Sequence, residues 1–313
     1  MLALGGPRLW RYYFLDLPIW TCGLAGPRLT KSILHFLEPD GLAVRSGYER
    51  LCGYLHRRVS PSQIDDVVRK ALFVKIVKES DAYSSLRMSK KRFDRYFQVK
   101  GIDHLRAARK DNRPVVLLTG HYGSFFIPAI AFSHMGFDVY PIARKVDNSA
   151  ATPLSTRIYL TLNYKFSERQ FPAGYIYTDF AGWIDRKVVS VLNTGGILWT
   201  AIDFPERLYP HKRLPVKLLG LSSSLPSGMV RSALKRGAVF LTAWNSVESM
   251  DGLNWYRSLT IDEPIAGKPT ADFVLQTYAD RLTERISSQP WQWMGLPIIS
   301  QYDEGGTGKT EHI

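Results

Sequence analysis

Strands and helices alternate from residue 100 to near the end of this chain of 313 residues. Short apolar runs predict the strands, and apolar residues at helical spacing predict the helices between them. The predicted helices lie near 102–110, 125–134, 153–163, 175–192, 226–236 and 270–288, and the predicted strands at 115–119, 137–142, 196–202, 215–219, 238–244 and 256–261. Such alternation is typical of a mostly parallel or mixed central sheet with helices on both faces. We therefore predict an α/β fold.

The residues before position 100 have a different pattern. Between residues 28 and 99 the apolar positions recur at helical spacing, which predicts two to four helices packed on the α/β part. Residues 9–25 are rich in aromatics and leucine, but Arg11, Asp16 and Pro18 interrupt them before the roughly 20 apolar residues of a membrane span accumulate. We expect three parts in the chain. They are a helical region at 1–99 that docks on a membrane or a partner, one α/β domain at 100–298, and a disordered tail at 299–313.

The strand predicted at 115–119 ends in a turn that carries a single histidine, Gly120-His121-Tyr122-Gly123. The ends of strands are where open α/β sheets bind their ligands. Ser124 is a typical N-cap for the helix that follows, with Pro128 in its first turns. His121 is therefore expected beside backbone N–H groups and a helix dipole, which favour an uncharged imidazole and stabilise negative charge on a substrate oxygen. A general base benefits from both effects, although a lone histidine can also be structural.

Several short segments stand out when they are considered together and in their order along the chain. They are 98–123, Pro141-Ile142-Ala143-Arg144 with Asn148 and Arg157, 195–203 ending in Asp203, 216–220 with 225–228, and Pro290-Trp291-Gln292-Trp293. Together these segments resemble the late acyltransferases of lipid A biosynthesis, the lauroyl and myristoyl transferases of the lysophospholipid acyltransferase superfamily. The resemblance extends over about residues 98–294.

The resemblance implies transfer of an acyl group from a thioester, on acyl carrier protein or coenzyme A, to a hydroxyl or amine of a lipid or secondary-metabolite acceptor. His121 would act as the general base. We expect no covalent enzyme intermediate, no metal ion and no cofactor, because a thioester needs no metal for its activation. The alternative is a catalytically inactive protein of the same fold that binds acyl carrier protein or lipid.

The chain departs from the family's signature at Phe126. In the family a histidine is followed five positions later by an aspartate or glutamate that orients the ring, and here that position holds Phe126. A phenylalanine can neither orient an imidazole nor stabilise an imidazolium. Three explanations are open: a carboxylate from elsewhere, a more reactive nucleophile such as an amine, or lost chemistry. The candidate carboxylates are Asp203, Glu168 and Asp179.

The other expected site residues are polar groups or line the substrate pocket. Arg144 is expected to stabilise the anion, although an arginine there can equally brace a helix against the sheet. Asp203 either orients His121 or holds a helix N-terminus. The expected substrate-binding residues are Gly123, whose neighbouring backbone N–H groups would assist at the oxyanion, together with Phe126, Asn148 and Arg157.

The formal charge of +13 indicates an anionic partner. The densest basic run, 87–100, alternates with aromatics and is either the solvated face of a helix or a docking surface for a membrane or a carrier protein. We do not expect nucleic acid as a partner, because no recognised nucleic-acid-binding signature accompanies these residues. Cys22 and Cys52 have no C-x-x-C spacing, which favours a reducing compartment and argues against zinc. We expect a cytoplasmic protein, with peripheral attachment to the inner face of the cell membrane as the further option.

Overall fold

A computed structural model describes residues 38–85, 89–124, 126–145, 154–178, 186–210, 212–251, 254–267 and 269–304. Within these residues the chain has the predicted α/β architecture. The helices are α1 (Glu38–Tyr54), α2 (Pro61–Ser85), α3 (Lys90–Tyr96), α4 (Ile102–Ala108), α5 (Ile127–His134), α6 (Leu154–Glu168), α7 (Arg186–Asn193), α8 (Gly228–Leu234) and α9 (Ala271–Ser288). The strands are β1 (Phe97–Lys100), β2 (Val115–Thr119), β3 (Val139–Arg144), β4 (Ile176–Thr178), β5 (Ile197–Ala201), β6 (Arg213–Leu218), β7 (Leu221–Pro226), β8 (Val239–Asp251) and β9 (Asn254–Ile261). Short 3-10 helices lie at Glu206–Leu208, Pro290–Gln292 and Leu296–Tyr302.

Strand β2 lies in the middle of a seven-stranded sheet whose order is β1-β9-β8-β2-β5-β3-β4. It pairs in parallel with β5 on one side and with β8 on the other, whereas β9 runs antiparallel to β8. Strands β6 and β7 form a separate antiparallel hairpin. All residues of β2 are buried, which is why this strand is a continuous apolar run rather than an alternating one.

Alternate residues of β2 enter two apolar clusters on opposite faces of the sheet, as the period of a strand requires. Val116 and Leu118 belong to one cluster, and Val115 and Leu117 to the other. Helix α9 packs into the first cluster and helix α5 into the second. Because helices hold β2 from both sides, the position of its carboxyl end and of the turn after it is fixed.

Helices α1 and α2 pack against the segment that follows α9. A Cβ atom on Gly47 of α1 would lie 2.0 Å from the carbonyl oxygen of Leu296, so only glycine allows this approach. Leu51 of α1 and Val67 of α2 belong to the same apolar cluster as Leu296. The N-terminal helices therefore pack directly on the core of the α/β part. Within the described residues, no helix is both long enough and apolar enough to cross a membrane.

Three short strands differ from the predicted elements. Residues 176–178 were expected to begin a helix over 175–192, but they form β4, and helix α7 begins only at Arg186. The residues of β4 favour strands, and pairing with β3 stabilises that conformation. Strand β1 follows α3 without a turn, and β7 carries three serines, so neither has the apolar run that indicates a strand.

The bounds of the α/β part also need correction. The boundary expected at residue 99 falls inside β1, which pairs with β9. The disordered tail expected from residue 299 begins too early, because Leu296–Tyr302 is a 3-10 helix with Ile299 and Tyr302 buried. At the start of α5, Phe126 rather than Ser124 occupies the N-cap, and no side chain caps the helix there.

Candidate active site

The register of β2 and β5 brings two polar side chains to one point at the carboxyl edge of the sheet. The last residues paired between these strands are Thr119 and Ala201. His121 and Asp203 each follow two residues later, so they emerge side by side although they are 82 residues apart in the chain. The carboxyl edge of parallel strands is the place where α/β folds generally bind substrates.

His121 and Asp203 form a hydrogen-bonded pair. The ring Nδ1 of His121 lies 2.5 Å from Asp203 Oδ1, and the backbone N–H of His121 donates to Oδ2 at 2.7 Å. The Asp203 side chain is fully buried, whereas 24% of the His121 side chain is exposed. An ionised Asp203 places the proton of a neutral imidazole on Nδ1, so Nε2 carries the lone pair. The arrangement is that of a general base with an orienting carboxylate.

Asp203 also accepts hydrogen bonds from two aromatic side chains of the segment after α9. The indole N–H of Trp293 donates to Asp203 Oδ2 at 3.0 Å, and the hydroxyl of Tyr302 donates to the Asp203 carbonyl oxygen at 2.7 Å. Burial by itself raises the pKa of Asp203. The attraction of His121 and the hydrogen bonds from His121 and Trp293 outweigh burial, so the pKa of this carboxyl lies below its ordinary value. Asp203 is therefore a charged acceptor at neutral pH.

A second layer of hydrogen bonds fixes the His121 turn itself. The N–H of Met294 donates to the His121 carbonyl oxygen at 2.8 Å, and the N–H of Gly123 donates to the Gln292 carbonyl oxygen at 2.7 Å. Residues 292–294 thus run along the turn like a short antiparallel strand. This changes the role expected for Gly123, because its own N–H is bonded to Gln292 rather than available to a substrate oxygen.

Gly123 has a different reason to be glycine. Its φ angle is +62°, and a Cβ atom there would lie 1.9 Å from the carbonyl oxygen of Asn245 in β8. Any side chain would collide with the backbone of β8 and would strain the turn. The side-chain N–H of Asn245 also donates to the Ser124 carbonyl oxygen at 2.9 Å. The close contact with β8 is therefore part of what positions His121.

An aromatic ring contacts the imidazole directly. The Phe204 ring stands edge-on to the His121 ring, with 4.7 Å between the centroids. Phe204 follows Asp203 in the chain, so one loop supplies both the carboxylate and an apolar neighbour. An apolar contact of this kind limits the water around the ring and strengthens the electrostatic interaction with Asp203.

The remaining predicted residues are distributed around this pair. Phe126 is buried in the apolar cluster on the α5 side, and its ring contacts Tyr164 with 6.0 Å between the centroids. Arg144 is the last residue of β3, where its backbone pairs with Thr178. Arg157 is half-buried in α6. Asn148 lies outside the described residues.

Of the two candidate carboxylates among the described residues, Asp203 bonds the imidazole. Glu168 accepts hydrogen bonds from the hydroxyl of Tyr177 at 2.8 Å and from the backbone N–H of Tyr175 at 3.2 Å. Asp179 lies outside the described residues. The contact with Asp203 follows from the sheet order, because β5 is the strand next to β2.

The sequence did not single out the supporting residues of the pair. Trp293 belongs to the closing motif 290–293, but nothing local indicated a bond to Asp203. Tyr278 of α9 donates its hydroxyl to the Thr119 carbonyl oxygen at 2.9 Å, next to the turn. Burial raises the pKa of Tyr278 and of Tyr302, so both phenols remain protonated donors. In the sequence, Tyr302 is simply an aromatic residue after the closing motif, and Tyr278 is a tyrosine on the apolar face of a helix. Neither pattern indicates a hydrogen bond to the turn or to Asp203.

Comparison with known proteins does not assign the chain to a family. No protein-family model matches the chain, and no curated protein matches it significantly. Among the described residues, no group of three or more histidine, cysteine or acidic side chains could hold a metal ion. The chemistry available to the site is therefore argued from the His121–Asp203 pair and its surroundings.

Proposed function

We propose that the chain is an acyltransferase that moves an acyl group from a thioester donor, on acyl carrier protein or coenzyme A, to a hydroxyl or amine of a lipid or secondary-metabolite acceptor. The observation that carries the proposal is the 2.5 Å contact between His121 Nδ1 and the buried carboxylate of Asp203. A partly exposed imidazole oriented by a buried carboxylate is suited to deprotonate an attacking nucleophile. The resemblance of residues 98–294 to lipid A acyltransferases supplies the reaction class.

The reaction follows from the orientation of the ring. Nε2 of His121 takes the proton of the acceptor hydroxyl or amine while the acceptor attacks the thioester carbonyl carbon. The new C–O or C–N bond forms and the carbonyl oxygen becomes an anion. We assign the stabilisation of this oxyanion to Arg144 at the end of β3. When the C–S bond breaks, the imidazolium returns the proton to the leaving thiolate. Asp203 stabilises the imidazolium between these two steps.

Asp203 also accounts for Phe126 at the signature position. The orienting carboxylate comes from the loop after β5 instead of from the turn after β2. An oriented base is thus retained without the signature acid, which favours an enzyme over a binding protein with lost chemistry. We further propose a cytoplasmic protein with an anionic membrane surface or an acidic carrier protein as its partner, in keeping with the +13 charge.

A thioester-release assay tests the proposal. Acyl carrier protein and coenzyme A thioesters are offered with a lipid hydroxyl or amine acceptor, and free thiol is measured. We expect turnover by the wild type and a loss of about 10²–10⁴-fold for His121→Ala and for Asp203→Asn. His104→Ala and Asp103→Asn are matched controls outside the site and should keep full activity. Turnover that survives His121→Ala, or carrier-protein binding without turnover of any donor, would overturn the assignment.

A further inference from the structure

Three connections meet at the edge of the sheet opposite to the candidate active site. Strands β2, β5 and β8 run in parallel, and their first residues are paired side by side. The chain that leads into each of these strands therefore reaches the same amino edge of the sheet. The connections follow α4, α7 and α8, and together they form the amino-edge surface: residues 109–114, 193–196 and 235–238.

Side-chain hydrogen bonds tie the three connections together. The guanidinium of Arg113 donates to the Gly237 carbonyl oxygen at 2.8 and 3.0 Å, and the guanidinium of Arg236 donates to the side-chain oxygen of Asn193 at 2.8 Å. These acceptors are neutral, so the bonds fix both arginines without cancelling their charge. The amino-edge surface is therefore held in one arrangement by its own side chains.

The amino-edge surface is strongly positive. Its charged residues are one acid, Asp111, and five bases: Arg109, Lys110, Arg113, Lys235 and Arg236. In the described part of the chain, none of the five bases forms an ion pair with a carboxylate. A base that follows a helix can bond the last carbonyl oxygens of that helix, but the exposed ammonium groups of Lys110 and Lys235 bond none of the described residues. Their charges are therefore available to a partner.

This surface has charge but no apolar anchor. Its only apolar side chains are those of Pro114 and Ala238, and it contains no aromatic ring. Stable protein partners generally bind through aromatic or aliphatic anchors, single-stranded nucleic acids stack on aromatic rings, and a duplex is read by an element that enters its groove. An anionic bilayer needs only exposed bases, each of which strengthens binding about fivefold. The composition of the surface therefore favours an anionic membrane.

The amino-edge surface and the candidate active site lie at opposite ends of one strand. Arg113 precedes the amino end of β2, and His121 follows its carboxyl end. Because β2 has five residues, about 17 Å separates its ends at a rise of roughly 3.3 Å per residue. A membrane that contacts the amino-edge surface therefore leaves the imidazole on the side that faces the water.

We propose that the amino-edge surface docks the protein on an anionic membrane, with the candidate active site directed away from the bilayer. Lys110, Arg113 and Lys235 contact the lipid phosphates, and the attachment is electrostatic, without insertion into the bilayer. This orientation lets a carrier protein and a water-soluble acceptor reach His121 and keeps it away from lipids of the same bilayer. Docking does not depend on the proposed acyltransferase activity, and only the choice of acceptor rests on it.

Vesicle co-sedimentation of the full chain tests the docking. Vesicles of phosphatidylcholine with about 30% phosphatidylglycerol should bind the protein at least about tenfold more tightly than vesicles of phosphatidylcholine alone, and added salt should reduce the difference. Equal binding to both kinds of vesicle would overturn the proposal. Binding of a mixed-sequence RNA duplex by a protein that binds no anionic vesicle would overturn it too, because the surface would then belong to a nucleic acid.

Paired variants locate the docking surface. Lys110→Glu with Lys235→Glu reverses two charges of the amino-edge surface and should weaken binding to the anionic vesicles by at least about 25-fold. Lys90→Glu with Lys91→Glu makes the same change in net charge on α3 and should weaken binding by less than about threefold, since salt screens charges outside the contact. Equal losses would mean that net charge rather than the amino-edge surface attracts the membrane, which refutes the assignment. Circular dichroism checks that both variants fold.

Hydrogen exchange of the unmodified protein gives the orientation without any substitution. On anionic vesicles, the amide groups of residues 109–114, 193–196 and 235–238 should exchange more slowly than in the free protein. Those of Glu206–Leu208, in the loop after Asp203, should exchange at an unchanged rate. Slower exchange at Glu206–Leu208 without a change at the amino-edge surface would place the candidate active site against the membrane and refute the orientation.

The choice of acceptor is tested separately from the docking. Vesicle-bound protein should transfer the acyl group to a water-soluble amine or alcohol rather than to a long-chain alcohol held in the same vesicles, and the opposite preference would contradict the proposed orientation. His121→Ala should bind the anionic vesicles as the wild type does. A failure of the acyltransferase proposal would therefore leave the vesicle measurements readable.

Discussion

At the scale of single residues, Asp203 is the residue of the site whose buried charge needs the most compensation from its neighbours. It is fully buried, yet three N–H groups point at its carboxylate: the ring and backbone of His121 and the indole of Trp293. A buried charge without such donors would be strongly destabilising. The same donors that keep Asp203 ionised also fix the orientation of the imidazole, so stability and the proposed chemistry rest on one set of bonds.

The stability contributed by Asp203 should depend on pH. Its pKa is lower in the folded chain than the ordinary value of 3.8 for an aspartate, so its contribution is complete above that value and is lost as the pH falls through the folded pKa. We expect Asp203→Asn to lower the free energy of unfolding by about 2–4 kcal/mol at pH 7, and by less in acid below about pH 4. Urea denaturation at pH 7, 5 and 3 measures the difference. Asp103→Asn, at an exposed position, should show no such trend, and a pH-independent cost for Asp203→Asn would contradict the expectation.

Phe126 tests whether the signature acid is missing or replaced. Because Asp203 already bonds Nδ1 of His121, a glutamate at 126 would have no orienting task and would sit buried near Tyr164. We expect Phe126→Glu to destabilise the fold by several kcal/mol and to leave the turnover of the folded fraction no higher. Phe126→Leu keeps the apolar contact and should cost about 1–2 kcal/mol. Thermal unfolding and turnover per folded molecule check both variants, and a faster Phe126→Glu enzyme would show that the pair with Asp203 is incomplete.

At the scale of elements, the segment 290–302 closes the site from outside the sheet. Its backbone bonds the His121 turn, Trp293 bonds Asp203, and Tyr302 bonds the Asp203 carbonyl oxygen. The Trp293 and Tyr302 rings also contact each other with 5.1 Å between their centroids. This segment therefore transmits the packing of α1 and α2 to the candidate active site.

Removal of the indole N–H should affect chemistry more than binding. Trp293→Phe keeps an aromatic ring in the core but leaves Asp203 one donor short. We expect kcat to fall about tenfold with little change in KM, because a single hydrogen bond to a charged group is worth roughly 1.5–3 kcal/mol and part of that is recovered by relaxation. Trp291→Phe, which removes no donor from Asp203, should keep kcat. An equal loss in both variants would indicate a packing effect instead of positioning of the carboxylate.

A buried ion pair joins α2 to β9. Asp81 and Arg257 are 0% and 3% exposed, and the guanidinium of Arg257 donates to the Asp81 carboxylate. Burial raises the pKa of Asp81 to about 6 in spite of the attraction of Arg257, so the pair is fully ionised only above that pH. The exposed pair of Arg106 and Asp103 offers a direct contrast.

The two ion pairs should differ sharply in their contributions to the free energy of unfolding at pH 7.5. Asp81→Asn leaves the Arg257 charge buried without its carboxylate and should lower the free energy of unfolding by about 3–5 kcal/mol. Asp103→Asn should cost under about 1 kcal/mol, because water solvates the exposed Arg106. The double variant Asp81→Leu with Arg257→Met should recover most of the loss. Chemical denaturation measures all three, and similar costs for the two single variants would refute the contrast.

At the scale of the whole molecule, the sequence predicted the sheet better than the site. Val115–Leu118 is an apolar run because both faces of β2 are covered, so its pattern alone was sufficient. β4 was missed because three residues carry too little pattern and pairing with β3 decides their conformation. His121 could be proposed as a site residue from the sequence because the signals of its turn are local. Its link to Asp203 was one of three alternatives, because only the pairing of β2 with β5 brings those loops together.

The distribution of charge is also a property of the whole molecule. Exposed bases lie on α3, on α4 and at the end of β1 between them, among them Lys90, Lys91, Arg95, Lys100 and Arg106. A surface of this sign raises the encounter rate of an acidic partner, and salt screens the effect over about 10 Å at 0.1 M. If the donor is a carrier protein, α3 is the element on which we expect it to dock.

Charge reversal on α3 tests that expectation. The double variant Lys90→Glu with Lys91→Glu should raise KM for acyl carrier protein about tenfold with kcat unchanged, because neither residue belongs to the candidate active site. Lys217→Glu with Lys235→Glu makes the same change in net charge on exposed positions of β6 and at the end of α8, and it should have a much smaller effect. The difference between the two variants should shrink as salt rises from 50 to 500 mM, since exposed charges are screened. Equal effects at low salt would mean that net charge, and not the surface of α3, attracts the donor.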